Sequence, residues 1–184
     1  PKAKYELTVK IPGIETIKAT TNLVHPFRLY DVKLIYVTEA NPFYFRWTSP
    51  VNGKYYEIKM QYHLLRNYEN EIKRETVEFI IGTSTSFNSL GGEQISYEFP
   101  VSNYYYIQEE YLTDTINPTQ LEQIDVIFSA ATEELWVYRN STRAMNSGMI
   151  ERQVFTNIRN GKGIFSSRIV KKIEDVQIII DMDN

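Results

Sequence analysis

Along most of this chain apolar and polar side chains alternate at every second residue, a rhythm that predicts half-buried strands. Between Pro42 and Leu64 it is clearest. Phe43, Phe45 and Trp47 alternate with Tyr44, Arg46 and Thr48. After Ser49-Pro50-Val51-Asn52-Gly53, the residues Tyr56, Ile58, Met60, Tyr62 and Leu64 alternate with Glu57, Lys59, Gln61 and His63. The pattern predicts two strands folded back on each other as a hairpin, with Trp47 facing the centre of two stacked sheets.

A first hairpin is read before it. Tyr5, Leu7, Val9 and Ile11 share one face, Lys4, Glu6, Thr8 and Lys10 the other, and Pro12-Gly13 turns the chain toward Ile17, Ala19 and Thr21. Asn22 to Pro26 reads as an extended connection, because a residue before proline is pushed from helical angles. Val32, Leu34 and Tyr36 suggest a strand. Residues 66–75 are strongly polar and are expected to form an exposed connection. Val77, Phe79 and Ile81 mark a strand, Gly82 to Gly92 a loop, and Ile95, Tyr97 and Phe99 another strand. The Tyr104-Tyr105-Tyr106 run has strand propensity but no clean polar face, and is assigned to neither class. Ile124, Val126 and Phe128 give a further strand. Later strands are expected around Val154–Ile158, Ile164–Val170 and Val176–Ile180, with a turn at Asn160-Gly161.

One segment changes period. Thr132 followed by Glu133 and Glu134 suits a helix start, since acidic first-turn residues complement the helix dipole. Leu135, Tyr138, Thr142 and Met145 then recur at helical spacing, so one helix is predicted near 133–145.

Composition narrows the class. The chain has 184 residues, enough for a core without staples, and its 14 Tyr and 9 Phe favour strands. A formal net charge of -3 with scattered basic residues gives no basis for nucleic acid binding. Cysteine is absent, which removes disulfides, thiolate metal sites and cysteine nucleophiles. No stretch approaches ~18 consecutive apolar residues, so no membrane-spanning helix is expected. A chain opening on PKAKYELTV, without initiating Met or signal peptide, reads as a mature or truncated form.

Candidate chemistry is sparse. The histidines are His25, in a connection, and His63, on the face of Glu57, Lys59 and Gln61; both read as surface residues rather than general bases. No P-loop, G-x-S-x-G or dinucleotide fingerprint is present. Glu109-Glu110 and Glu133-Glu134 are neighbours that point in different directions. Asp181-Met182-Asp183-Asn184 resembles the start of a calcium loop but lacks its glycine and closing glutamate. The sequon Asn140-Ser141-Thr142 falls inside the predicted helix. Tyr104, Tyr106 and Tyr111, beside Gln108, Glu109 and Glu110, suit a stacking platform for sugar rings; the preferred alternative is that they fill and edge the sandwich. No catalytic or metal-binding residue is assigned, no ligand-binding residue is identified, and no cofactor is expected.

Three short motifs resemble a family of uncharacterised Bacteroidetes surface lipoproteins, a domain of unknown function. They are YELTVKIPGIETIKATT (Tyr5–Thr21); Trp47, Pro50 and Asn52 with the Tyr56-x-Ile58 strand; and the block from Leu135-Trp136-Val137-Tyr138 to FTNIRNGKGIFSSR (Phe155–Arg168). The chain departs from the family at its N-terminus, where lipobox and preceding small β domain are missing, and around Gly82–Tyr106. The resemblance implies a partly fibronectin-like sandwich, export, and tethering at the outer membrane near TonB-dependent receptors. It supplies no catalytic residues.

The expected fold is mainly β: an immunoglobulin- or fibronectin-III-like antiparallel β-sandwich over 38–184, with one inserted helix near 133–145. Residues 1–37 form an N-terminal hairpin, either the end of a preceding small β-sandwich or an extra edge of the main one. The expected function is a non-enzymatic cell-surface binding or accessory module that assists nutrient capture or assembly with an outer-membrane receptor. The alternatives are a carbohydrate-active enzyme with two carboxylates, or a fimbrial subunit. Expected partners are a TonB-dependent receptor or a polysaccharide, with membrane contact only through a lipid anchor.

Overall fold

A computed structural model describes residues 4–30, 32–68, 71–113, 119–145 and 155–181. The chain is mainly β, and antiparallel pairing dominates. The strands are β1 (Lys4–Val9), β2 (Ile17–Asn22), β3 (Leu34–Thr38), β4 (Tyr44–Thr48), β5 (Tyr55–Tyr68), β6 (Glu71–Thr85) and β7 (Gln94–Glu98). They are followed by helix α1 (Val101–Ile107), β8 (Thr119–Ala131), helix α2 (Glu133–Met145), β9 (Ile158–Arg159), β10 (Arg168–Ile173) and β11 (Gln177–Asp181).

Four strands in the order β10-β8-β5-β6 make the main sheet. Its inner face carries Tyr56, Ile58, Met60, Tyr62 and Leu64 of β5 with Ile124, Val126 and Phe128 of β8. Against it pack the antiparallel pair β4-β7 and the parallel pair β3-β11. Trp47 and Phe45 of β4, with Ile35 and Val37 of β3, complete one continuous buried cluster. The Trp47 ring lies 4.7 Å from that of Phe128 and 5.2 Å from that of Tyr56. Trp47 therefore faces the core as its strand parity requires, and burying a side chain of this size dominates the local energetics. A three-stranded sheet β1-β2-β9 flanks this body. Ala19 and Thr21 are its buried positions, and Val24 N donates to Ser167 Oγ at 3.0 Å where the chain leaves β2.

Two expectations are corrected, and one open assignment is decided. β4 and β5 are not a hairpin: β4 pairs with β7, and β5 with β6 and β8. The Pro50–Gly53 turn carries the chain from one layer to the other, held by Gly53 N to Pro50 O at 3.0 Å and Asn52 Nδ2 to Leu23 O at 2.7 Å. A hairpin and an arch between layers bury the same alternate residues, so periodicity cannot separate them. Residues 66–68 and 71–75 are paired strand ends of β5 and β6 rather than a connection. From Glu71 to Thr76 every side chain is exposed, because the ribbon here runs past the core and no apolar alternation is needed. The tyrosine run forms α1, not a strand, and continues into a π turn over Gln108–Leu112. Val101, Tyr104, Ile107 and Tyr111 pack toward the core, and their spacing is helical.

The helix read at 133–145 has those bounds. Thr132 precedes it, with its hydroxyl 3.0 Å from that of Ser166. The later strands shift: β10 begins at Arg168, and Ile164 to Ser167 belong to no strand. Val154 and the end of the calcium-like segment, 182–184, lie outside the described residues.

Candidate functional site

Three places stand out: a line of polar side chains, the hollows beside the tyrosines, and a patch of exposed apolar surface. The first lies on the outer face of the main sheet, where each of the four strands contributes one side chain to a line. Thr76 Oγ1 of β6 is 3.1 Å from His63 Nδ1 of β5, and His63 Nε2 is 2.8 Å from Asp125 Oδ2 of β8. Lys172 Nζ of β10 lies 2.7 Å from the same carboxylate oxygen. Gln123 Nε2 and the Asp175 N–H donate to the other oxygen of Asp125. Asp125 is fully buried. Burial acts to raise its carboxyl, but the hydrogen bonds from Lys172, Gln123, His63 and Asp175 outweigh it and hold the group well below the usual carboxylate range. The Lys172 ammonium is raised in turn, chiefly by its bond to Asp125.

His63 thus lies on the face its parity predicted, in contact with a buried carboxylate. Hydroxyl, imidazole and carboxylate stand in the order used by acyl-transfer triads. Two features differ from such a device. Asp125 is shared between His63 and a lysine, and Thr76 is an exposed residue on an edge strand of a sheet face. Sequence reading missed Asp125. Its signal is a charge inside the apolar run Ile124–Phe128, at a position whose parity turns it outward.

Beside this line the carboxylates are consumed in pairs. Lys59 Nζ reaches Glu78 at 2.6 Å and Glu57 at 3.7 Å, and Arg139 of α2 approaches Glu57 at 3.4 Å. Glu109 and Glu110 are exposed on the π turn, and His25 lies in the connection after β2. Asp181 accepts from the Tyr36 hydroxyl at 3.2 Å. Among the described residues no three potential ligands converge on a metal site.

The tyrosines do not form a platform. Tyr104 and Tyr111 pack against the core, whereas Tyr105 and Tyr106 are exposed. Phe79 meets Tyr106 and Tyr111 edge-on. Phe79 and Tyr106 border a cavity of about 270 Å³ lined also by Tyr62, Ile80, Ile81, Asn103 and Ile107, with no carboxylate in its lining. A hollow of about 360 Å³ beyond Tyr104 does hold Glu122 and Asp175. Glu122 is paired there with Arg74 at 3.2 Å.

The third place is the loop between β6 and β7. Phe87 is 88% exposed and Leu90 80% exposed, and both stand on a backbone held from several sides. Ser86 Oγ donates to Gly53 O at 2.8 Å, and Lys54 Nζ donates to the carbonyls of Ser86 and Phe87 at 2.7 Å each. Phe87 N donates to Glu93 Oε2 at 2.7 Å, and Leu90 N to Asn88 Oδ1 at 2.8 Å. Asn52 N to Ser89 O, Gly92 N to Ser49 O and Ser49 N to Glu93 O fasten the loop to the Pro50–Gly53 turn. Gly91 has φ +83°, and a Cβ there would come within 2.8 Å of Val51 N. Only glycine lets the two turns approach this closely. The partly exposed Val51 lies on the adjoining turn. The residues were missed because Phe87 and Leu90 are isolated in a polar loop and join no periodic pattern.

Against known proteins, neither a family model nor a curated protein matches this chain. Among the described residues no helix is long and apolar enough to cross a membrane.

Proposed function

We propose that this chain is a non-enzymatic binding or accessory module of the cell surface, which docks a protein partner through the Phe87–Leu90 loop. The partner class is an outer-membrane receptor, in keeping with the motif resemblance to exported surface lipoproteins. The observation that carries the reading is the pairing of near-complete apolar exposure with a fastened backbone. Large apolar side chains held out by a rigid loop cost free energy in water unless a partner covers them. A loop already fixed in place also loses little conformational entropy on binding. A protein is favoured over a polysaccharide because two of the three tyrosines that would stack a sugar ring, Tyr104 and Tyr111, pack against the core.

The test is site-specific photocrosslinking in the cell envelope of the source organism. A crosslinker at Phe87 is expected to trap one discrete protein, identified by mass spectrometry. The same group at Ile72, an exposed apolar residue on the distant ribbon, is expected not to trap it. Leu90→Asp should abolish the Phe87 adduct. Identical adducts from both sites, or none, would overturn the reading.

A second reading is favoured by one observation, the presence of Glu122 and Asp175 in a single hollow beside Tyr104. It makes the chain a carbohydrate-active enzyme with two carboxylates. Release of reducing sugar from surface glycans, lost in both Glu122→Gln and Asp175→Asn, is the result that would establish it.

A further inference from the structure

On the outward face of the β4–β7 pair, polar and aromatic side chains form a grid. Leu29 bridges to Trp47, with Tyr30 N donating to Arg46 O at 3.0 Å and Thr48 N to Arg28 O at 3.5 Å. Residues 28–30 thus lie antiparallel beside β4. Trp47 and Leu29 pack into the core, and strand alternation turns Arg28, Tyr30, Tyr44, Arg46 and Thr48 outward. From β7, Gln94 stands opposite Thr48, Ser96 opposite Arg46 and Glu98 opposite Tyr44.

Two arginines on this face are set in place by rings. The Arg28 guanidinium lies over Tyr30, 5.4 Å from the ring centre, and that of Arg46 over Tyr44 at 5.9 Å. Both rings are anchored through their hydroxyls. Tyr30 is 3.2 Å from Thr48 Oγ1, which accepts from Gln94 Nε2 at 2.9 Å, and Tyr44 donates to Glu98 Oε2 at 3.1 Å. A cation held over a π face keeps its N–H edge for another acceptor. Among the described residues no carboxylate or hydrogen bond engages either guanidinium, unlike those of Arg66, Arg74 and Arg139. The planar fork of an arginine matches a carboxylate. Arg28 sits across from Thr48, so Arg46 is its diagonal neighbour, roughly 7–8 Å away at the backbone. In an extended peptide, side chains two residues apart project from one side with roughly 6.5–7 Å between them. The two spacings agree.

We propose that this face receives an extended acidic segment of the protein partner, whose carboxylates at alternate positions meet Arg28 and Arg46. The inference rests on the docking reading and narrows it: the surface that covers Phe87 and Leu90 adjoins a Glu-x-Glu or Asp-x-Asp run. The loop carrying Phe87 and Leu90 leads directly into β7, and Ser49 N to Glu93 O ties it to the end of β4. A partner seated on the loop therefore reaches the Gln94, Thr48 and Arg28 row next. Glu98 stands at the opposite end, where its charge opposes a further carboxylate and limits the acidic run to two.

The probe is acetyl-Ser-Glu-Thr-Glu-Ser-amide, titrated into the ¹⁵N-labelled full chain. It is expected to shift the amides of Tyr30, Arg46 and Ser96 saturably. Its Gln-Thr-Gln counterpart, and an isomer with the two glutamates adjacent, should each bind about fivefold more weakly. Arg28→Gln and Arg46→Gln should each impose a similar loss, the upper end for an exposed ion pair. Equal affinity of the three peptides, or shifts confined to other residues, would overturn the inference. Tighter binding of tetragalacturonate at the same amides would overturn it too, by making the face a glycan site. The double variant Arg28→Gln with Arg46→Gln should keep its urea midpoint and lose most of the envelope crosslink placed at Phe87. An undiminished crosslink in that variant sinks this inference alone. Selective peptide binding with no Phe87 crosslink in the parent chain sinks the loop-docking reading and leaves the acidic site standing.

Discussion

Asn157 uses its side-chain amide as a strand would use its backbone, accepting from Phe165 N and donating to Phe165 O, both at 2.8 Å. The loop between them is closed by this one pair. Asn160, at φ +60°, donates from Nδ2 to Thr16 O at 3.0 Å and pins the loop to the β1–β2 hairpin. The asparagines and glycines of the stretch FTNIRNGKGIFSSR therefore serve backbone geometry. They account for the motif without assigning it any chemistry.

Asn157→Ala leaves both Phe165 groups unsatisfied and is expected to destabilise the fold by ~1–3 kcal/mol. Asn157→Asp keeps the acceptor and loses the donor, so its cost should be smaller. Urea denaturation at neutral pH measures both, and hydrogen exchange should show the Phe165 amide losing protection in the alanine variant.

Gly82 of β6 lies directly against the Tyr97 ring of β7. A Cβ at Gly82 would lie 2.2 Å from Tyr97 Cζ, and the Tyr97 hydroxyl donates to Ile81 O at 2.9 Å. The ring cannot swing aside without breaking that bond. Gly82→Ala is expected to cost ~1–3 kcal/mol through overpacking. In a Tyr97→Leu background the same substitution should cost measurably less, and a double-mutant cycle reads the difference.

Asp125 predicts the acid limb of stability. Its folded carboxyl is held below its unfolded counterpart, so the folded state binds its proton less readily. Its stabilisation is complete above about pH 4, the carboxylate range of an unfolded chain, and is lost as pH falls toward the lower folded value. Asp125→Asn should therefore cost about 2 kcal/mol at neutral pH, as expected for losing charged hydrogen bonds. The variant should also flatten the fall in stability below about pH 4 relative to the parent chain. Unfolding curves at a series of pH values check both signs.

Phe87→Ser and Leu90→Ser should leave the unfolding midpoint almost unchanged. Both side chains are exposed and pack little, so each change is expected to stay within about 0.5 kcal/mol. A large loss would mean that these residues support the fold, and would count against their role in docking.

Trp47 pointing into the core, the helix at 133–145 and the strand at Ile124–Phe128 were all legible in the order of residues. Each rests on a local period that one buried face imposes. The tyrosine helix was legible in principle, through Val101, Tyr104, Ile107 and Tyr111, but strand propensity masked the spacing. The β5–β6 ribbon was not, because its pairing beyond the core satisfies the backbone while the side chains from Glu71 to Thr76 stay wet. The candidate site was the least visible part. Phe87 and Leu90 carry no pattern, standing alone in a polar loop.

Sequence by itself determined which residues face inward in β4, β5 and β8, since alternation over two positions is a property of the local backbone. In β3 both parities are apolar, and the layers bury Ile35 and Val37 while the expected Leu34 and Tyr36 are exposed. Nor did sequence determine which strand lies beside which. β4 joining β7, β3 running parallel to β11, and four strands lending one side chain each to the line through His63 and Asp125 are decided by how whole layers stack. Such pairings depend on contacts between residues far apart along the chain, and a local rhythm carries no record of them.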